Sequence, residues 1–326
     1  MRRREFVTLL GGAALASPFA AHAQQHLPVV GFLNSGAPTP YGAQVKAFRA
    51  GLAEQGFVEG RNVAIDFRWA ENQLDQLPAM AAELVAKNVA VIVSSGGELP
   101  LLAARSASKT IPIVATMGGD PVAAGHIASL ARPEGNVTGI SFLTVELMRK
   151  RVYLLLEIAP HATGLALLIN PRSTQTASVI KLVNATAATK SKSVIVLSAT
   201  TAAEIESALA ELDRTKADTL VIQADPFFVN QRTQLADLAL KHRIAAIHEA
   251  RAFVEAGGLV SYGADLLEVY RLTGQTTGKV LKGTKPAEIP VQQSVTFAMA
   301  LNLKTAKALG LAVPPLVIAQ ADEVIE

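Results

Sequence analysis

The chain contains no cysteine. That excludes disulfides, thiolate metal sites and a lipid-anchored N-terminal cysteine. Half of its residues are hydrophobic. Yet beyond the first 25 there is no uninterrupted apolar run of about 18 residues, so no membrane-spanning helix is expected there. Charge is sparse and balanced, with 30 Lys and Arg against 27 Asp and Glu in 326 residues, a net charge of +3. Three of the arginines and one glutamate fall in residues 1–23, which leaves +1 for the remainder. No concentrated basic face of the kind nucleic acid requires is indicated.

Catalytic signatures are missing as well. There is no G-x-S-x-G elbow, and no G-x-G-x-x-G follows the first apolar run. Past residue 23 the closest histidines, His242 and His248, are six apart across an expected helix–strand junction, so no metal-ligand spacing emerges. Gly274–Lys279 approaches a phosphate loop, but it is one residue short and Val280 stands where Ser or Thr is needed. It reads better as helix. No cofactor, no metal and no enzymatic activity are expected.

What is present begins at the N-terminus. Met1–Glu5 reads MRRRE, Phe6–Ala16 is almost wholly apolar, and Ala21-His22-Ala23 closes the stretch. A charged start, a short apolar segment and an A-x-A site describe a secretory signal too short to cross a bilayer. Arg3-Arg4-Glu5-Phe6-Val7 also resembles the twin-arginine export consensus. Residues 1–23 are therefore expected to be removed by cleavage near Ala23, with the mature, soluble protein working in the periplasm. The 303 residues that follow suffice for two modest domains.

Short apolar runs then alternate with amphipathic stretches. Val29–Leu33 is continuous, as in a strand covered on both faces, and Val45, Phe48 and Leu52 follow at helical spacing before Gly56. Val63, Ile65, Phe67 and Trp69 alternate with Ala64, Asp66 and Arg68, the pattern of a sheet-edge strand. Leu74–Val85 and Leu99–Ser108 read as helices, Val89–Val93 and Ile111–Val114 as strands. After Asn136–Ile140 the rhythm restarts. Strands are expected at Leu165–Ile169, Val194–Leu197, Thr219–Ile222, Ile244–Ile247 and Leu259–Tyr262. Between them fall helices marked by Leu147/Leu154/Ile158, Ile205/Leu209/Leu212 and Leu235/Leu238. This alternation is the signature of parallel sheets with right-handed crossovers. Two similar halves, parted by the turn cluster Arg132–Asn136, favour an α/β fold of two doubly wound parallel-sheet lobes over the rival eight-fold barrel.

In such sheets ligands lie beyond the carboxyl ends of the strands, where helix N-termini present N–H groups. Those positions hold Asn34 and Ser35, then Ser95, Gly96 and Gly97, then Thr116 and Asp120. In the second half they hold Asn170, Asp225, Phe227, Glu249 and Tyr262. Small residues admit an anion to backbone donors, Asp120 and Asp225 suit an ammonium, and Tyr41, Phe142, Phe227 and Tyr262 suit an aromatic body. Helix capping and Asp-Pro turns explain several of the same residues without any ligand. Of the pair Phe227 and Phe228, the second is expected to enter the core.

From about Pro28 onward the chain resembles the ABC-transporter substrate-binding family whose characterised members bind tryptophan or tyrosine. The resemblance rests on VVGFLNSGAP, FRAGLAEQGFVEGRNVAIDFRWAE, IPIVATMGGDPVAAGHIASLARPEGNVTGISFLT, ADPFFVNQRTQLADLALKHRIAAIHEARAFVEAGGLVSYGADL and NLKTAKALGLAVPP. It implies the type I periplasmic binding protein fold. The chain would cross three times between a lobe of residues 28–141 plus about 265–283 and another of 142–263 plus about 289–326. It implies a monomer that captures a small polar molecule, with an aromatic amino acid or related acid foremost, and delivers it to an inner-membrane ABC permease with its ATPase. An exported hydrolase on a similar scaffold and a sensor docking a membrane kinase are the alternatives. A cytoplasmic repressor would need a helix-turn-helix before Val29, where only the export signal stands.

Overall fold

A computed structural model describes residues 27–215 and 217–326, and the signal read in residues 1–23 lies outside them. The chain folds around two separate open sheets rather than a closed barrel. The first holds β1 (Val29–Asn34), β2 (Ala64–Trp69), β3 (Val91–Ser95), β4 (Ile113–Met117) and β5 (Val137–Ser141). Helices α1 (Gly42–Glu54), α2 (Leu77–Ala86) and α3 (Leu99–Ala107) connect them.

From β5 the chain passes into α4 (Thr144–Ile158), which packs under the second sheet. There β6 (Leu165–Ile169), α5 (Thr176–Ala188), β7 (Val194–Ser198), α6 (Ala202–Thr215) and β8 (Thr219–Ile222) follow in turn. Next come α7 (Pro226–Asn230), α8 (Arg232–Lys241), β9 (Ala245–His248), α9 (Arg251–Glu255) and β10 (Val260–Ala264). Helix α10 (Leu266–Leu281) returns to lie beside α1, and β11 (Gln292–Gln293) pairs with β5. The chain ends on the second sheet with β12 (Phe297–Asn302), α11 (Leu303–Ala308), α12 (Pro315–Gln320) and β13 (Glu323–Ile325).

Strand order is β11-β5-β4-β3-β1-β2 in one sheet and β13-β12-β10-β9-β8-β6-β7 in the other. Inner strands such as β3, β4 and β6 are buried along their whole length, so their sequences are continuous apolar runs. β2 lies at an edge with partly exposed residues throughout, as its alternation indicated. One pairing departs from the parallel expectation: β12 runs antiparallel to β10. It arrives from the first sheet at the end where β10 leaves, so the short connection lays it down in the opposite sense.

The segment Gly274–Lys279 lies within α10, not in a phosphate loop. A Cβ on Gly274 would stand 2.1 Å from the Phe48 carbonyl oxygen, so glycine there allows α10 to lie directly on α1. Phe228 is fully buried as expected, but Phe227 is only 6% exposed, its ring centroid 5.2 Å from that of Phe228 with the planes tilted by 52°.

Candidate functional site

A cleft of about 1100 Å³, its open mouth included, lies between the sheets and is lined from both. The first sheet contributes Ser35 after β1, Gly96 and Gly97 after β3, and Thr116 at the end of β4. The second contributes Asn170, Asp225 and Glu249 from the carboxyl ends of the adjacent strands β6, β8 and β9. Tyr41, Phe142 and Phe227 supply aromatic walls. Ten of the fourteen residues expected at the site therefore line one space.

The other four are placed differently. Asn34 and Ser95 are the last residues of their strands and wholly buried; the Asn34 amide donates to Ser95 Oγ at 2.8 Å. Asn34 Oδ1 accepts from Gly36 N at 2.7 Å, and both side chains also bond Tyr270 of α10. These two residues brace the loops behind the cleft instead of facing it. Asp120 is exposed, accepts from Val122 N and Ala123 N, and borders an adjoining hollow of about 1090 Å³, its open mouth included. Tyr262 lies against the Phe297 ring at 6.3 Å on β12, so the strand alternation that brings it there takes it out of the cleft.

On the first sheet's side, Gly96 and Gly97 adopt φ of +78° and +93° at the start of α3. A Cβ on Gly96 would come within 2.6 Å of Asn34 Oδ1, so only glycine lets this loop fold back on β1 with its backbone towards the cleft. The Ser35 hydroxyl donates to the Gly96 carbonyl and fastens the two loops together.

On the second sheet's side, Asp225 caps α7. Its Oδ1 accepts from Phe227 N at 2.9 Å and from the Asn170 amide at 3.0 Å, while Oδ2 takes no hydrogen bond among the described residues. Burial pushes the Asp225 carboxyl up to about 6, against the opposing pull of those two donors. Glu249 is also raised by burial; Arg151 pulls it back and Asp225 pushes it further up. His248 is fully buried, and burial with the nearby Arg151 charge lowers it to about 3. Its Nδ1 accepts from Ala250 N at 3.0 Å, so the ring is neutral with its proton on Nε2.

Several lining residues had not been anticipated. Arg172, Ser173, Thr174 and Gln175 continue the loop after Asn170-Pro171, and Glu98 opens α3. Thr174 donates its hydroxyl to Glu98 Oε2, a hydrogen bond directly between the two lobes. The other Glu98 oxygen meets His126 Nε2, whose Nδ1 lies 3.0 Å from Arg105 Nη1. A guanidinium can only donate, so His126 accepts at Nδ1 and donates through Nε2 to Glu98. Asn230 and Asn72 bridge the lobes at a second point, at 3.4 Å. The lobes are thus in contact around the cleft. Among the described residues no cluster of His, Cys, Asp and Glu could hold a metal ion, and no helix is long and apolar enough to cross a membrane.

Comparison with known proteins agrees with this architecture. Residues 39–325 match the family model described as ABC transporter substrate binding protein. A tyrosine-binding protein of Clostridioides difficile is 27% identical over 269 residues, 82% of this chain and 76% of that one. Among solved structures, a Streptococcus pneumoniae ABC domain in complex with L-Trp superposes with a TM-score of 0.83 at 26% identity, covering 92% of this chain and all of the other. The ligand-free, open structure of a Clostridium difficile substrate binding protein gives 0.65 at 25% identity, over 92% of this chain and 99% of that one. The two-sheet architecture is that of type I periplasmic binding proteins.

Proposed function

The chain belongs to the family of ABC transporter substrate binding proteins, and from that premise we propose that it is the exported, periplasmic solute receptor of an importer, holding an aromatic amino acid or related aromatic acid between its lobes. The observation that carries this reading is the polarity of the cleft. One wall offers the glycine loop and the Thr116 hydroxyl; the other offers the Asp225 carboxylate beside Asn170. A zwitterion suits that arrangement in one orientation, carboxylate to the first lobe and ammonium to Asp225. Tyr41, Phe142 and Phe227 then enclose its body. The higher similarity to the L-Trp complex than to the open, ligand-free relative, at nearly equal identity, favours a closed arrangement of the lobes.

Each lobe supplies part of the site, so ligand binds the closed form more tightly and shifts the population towards it. In this reading residues 28–141 with about 265–283 act as one jaw, extended by β11, and residues 142–263 with the final segment act as the other. The closed monomer is the form that an inner-membrane permease with its ATPase would receive. The signal in residues 1–23 sends the chain to the periplasm.

The test is a thermal-shift screen of residues 24–326 against amino acids, aromatic acids, sugars and nucleosides, with calorimetry on the hits. A ligand at 100 times its dissociation constant adds about 2.7 kcal/mol of stability. A response to tryptophan or tyrosine supports the proposal. Silence from every aromatic amino acid, with a response to a sugar or nucleoside, refutes it.

A further inference from the structure

The second lobe's wall carries more acid than one ammonium needs. Asp225 and Glu249 both border the cleft, and the charge that offsets one of them comes from beneath. Arg151, on the core-facing side of α4, is 0% exposed. Its Nε donates to the Tyr262 carbonyl at 2.6 Å, and Nη1 lies 3.0 Å from Met148 Sδ. Its Nη2 has no hydrogen-bond partner and points to Glu249, 3.9 Å from Oε2. The Glu249 side chain, 12% exposed, accepts no hydrogen bond among the described residues and lines the cleft. Its backbone is pinned as well: a Cβ on Gly263 of β10 would lie 2.3 Å from the Glu249 carbonyl oxygen.

A largely buried carboxylate whose oxygens are met only by solvent at the cleft gains from a donor that arrives with a ligand. The charges on this wall decide what kind. Of the charges that act on one another here, Asp225 and Glu249 against Arg151 leave one net negative charge, which a single ammonium satisfies; Arg172, also on the cleft, acts on Glu204 instead. A second cation would overcompensate, whereas a neutral N–H or O–H would satisfy the oxygens of Glu249 at no cost in charge. The opposite wall near Glu249 holds Tyr41 and Tyr270, both buried and raised, so no cation competes for it there.

Resting on the aromatic amino acid reading above, we propose that Glu249, braced by Arg151, accepts a hydrogen bond from a protic atom on the ligand's ring and so selects indole or phenol side chains over plain phenyl. Arg151 touches no ligand. It is a positioning residue that keeps Glu249 ionised and directed into the cleft.

The experiment is calorimetric titration of residues 24–326 with L-tryptophan, L-tyrosine and L-phenylalanine. It compares the wild type with two double variants, Arg151→Met with Glu249→Met and Arg151→Met with Glu249→Leu. Each removes both charges together and so leaves no uncompensated buried ion and no acceptor. The wild type is expected to bind tryptophan or tyrosine about tenfold or more tighter than phenylalanine, as a hydrogen bond to a charged acceptor implies. Both variants should lose that preference, to within about threefold, while phenylalanine affinity stays within about threefold of wild type. The inference is overturned if the wild type does not discriminate, if the variants still discriminate, or if the variants lose phenylalanine as well. Failure of all three amino acids to bind the wild type instead brings down the underlying reading, and this inference with it.

Discussion

Replacing Asp225 by Asn should make the protein more stable and remove its ligand response. Burial moves this carboxyl from an ordinary 3.8 to about 6. At about 1.4 kcal/mol per pH unit, keeping it ionised at neutral pH costs the folded state ~3 kcal/mol. The sign follows from which state releases its proton first. Below pH 3.8 the acid is protonated both folded and unfolded, and nothing is lost. As the pH rises from there the unfolded chain ionises while the folded one resists, so stability falls until about pH 6 and stays lowered above it. Asn keeps an Oδ1 to accept from Phe227 N and the Asn170 amide, the two bonds Asp225 makes. Asp225→Asn should therefore gain about 1–3 kcal/mol at pH 7.5, a rise in melting midpoint of roughly 3–10 °C, and nothing at pH 3.5. An amine-bearing ligand should lose about 2 kcal/mol or more of affinity, because its ammonium loses the charge it pairs with. Thermal melts at the two pH values, with and without tryptophan or tyrosine, measure all of this. A variant that melts below the wild type at pH 7.5, or a difference independent of pH, would refute the reasoning.

Two further substitutions probe the frame around the cleft. Gly263→Ala places a methyl where only 2.3 Å separates it from the Glu249 carbonyl, so the β9–α9 loop must shift. Stability should fall by about 1–3 kcal/mol, and calorimetry should show weaker ligand binding; unchanged affinity would mean that this loop does not hold ligand. Thr174→Val removes the hydroxyl that reaches Glu98 across the cleft. Affinity should drop by about three- to tenfold through faster release, with the melting midpoint of the ligand-free protein within about 2 °C of wild type. A tight-binding variant would assign the bridge no part in closure.

Much of the fold was legible because inner strands of parallel sheets are covered on both faces and read as apolar runs. Leu165–Ile169 is the clearest, and edge strand Ala64–Trp69 betrayed its place by alternation. Helix Thr176–Ala188 was harder to see, since Val179, Val183 and Ala187 make a thin buried stripe among threonines and alanines. The antiparallel Phe297–Asn302 was invisible because its direction depends on where the returning helix delivers the chain.

At the site, residues just past a strand's carboxyl end could be named from position alone, as Ser35, Asp225 and Glu249 were; Thr116, the last residue but one of β4, lines the cleft from within its strand. Asn34, Ser95 and Tyr262 still belong to their strands, where alternation sends side chains inward. The loop after Asn170 extends further along the cleft than its first two residues indicated. Arg151 left a readable signal. It shares the core face of α4 with Met148, Val152 and Leu155, and a charge on an apolar stripe calls for a buried partner.

The central claim is that the two lobes move against each other and close around a ligand. The cysteine-free chain allows a direct measurement. Spin labels on Lys46→Cys in α1 and Lys181→Cys in α5, both exposed, would report the inter-lobe distance by pulsed electron resonance. Saturating tryptophan or tyrosine should replace a broad distance distribution with a narrow one matching the contacts between Glu98 and Thr174. An identical distribution with and without bound amino acid would contradict the account.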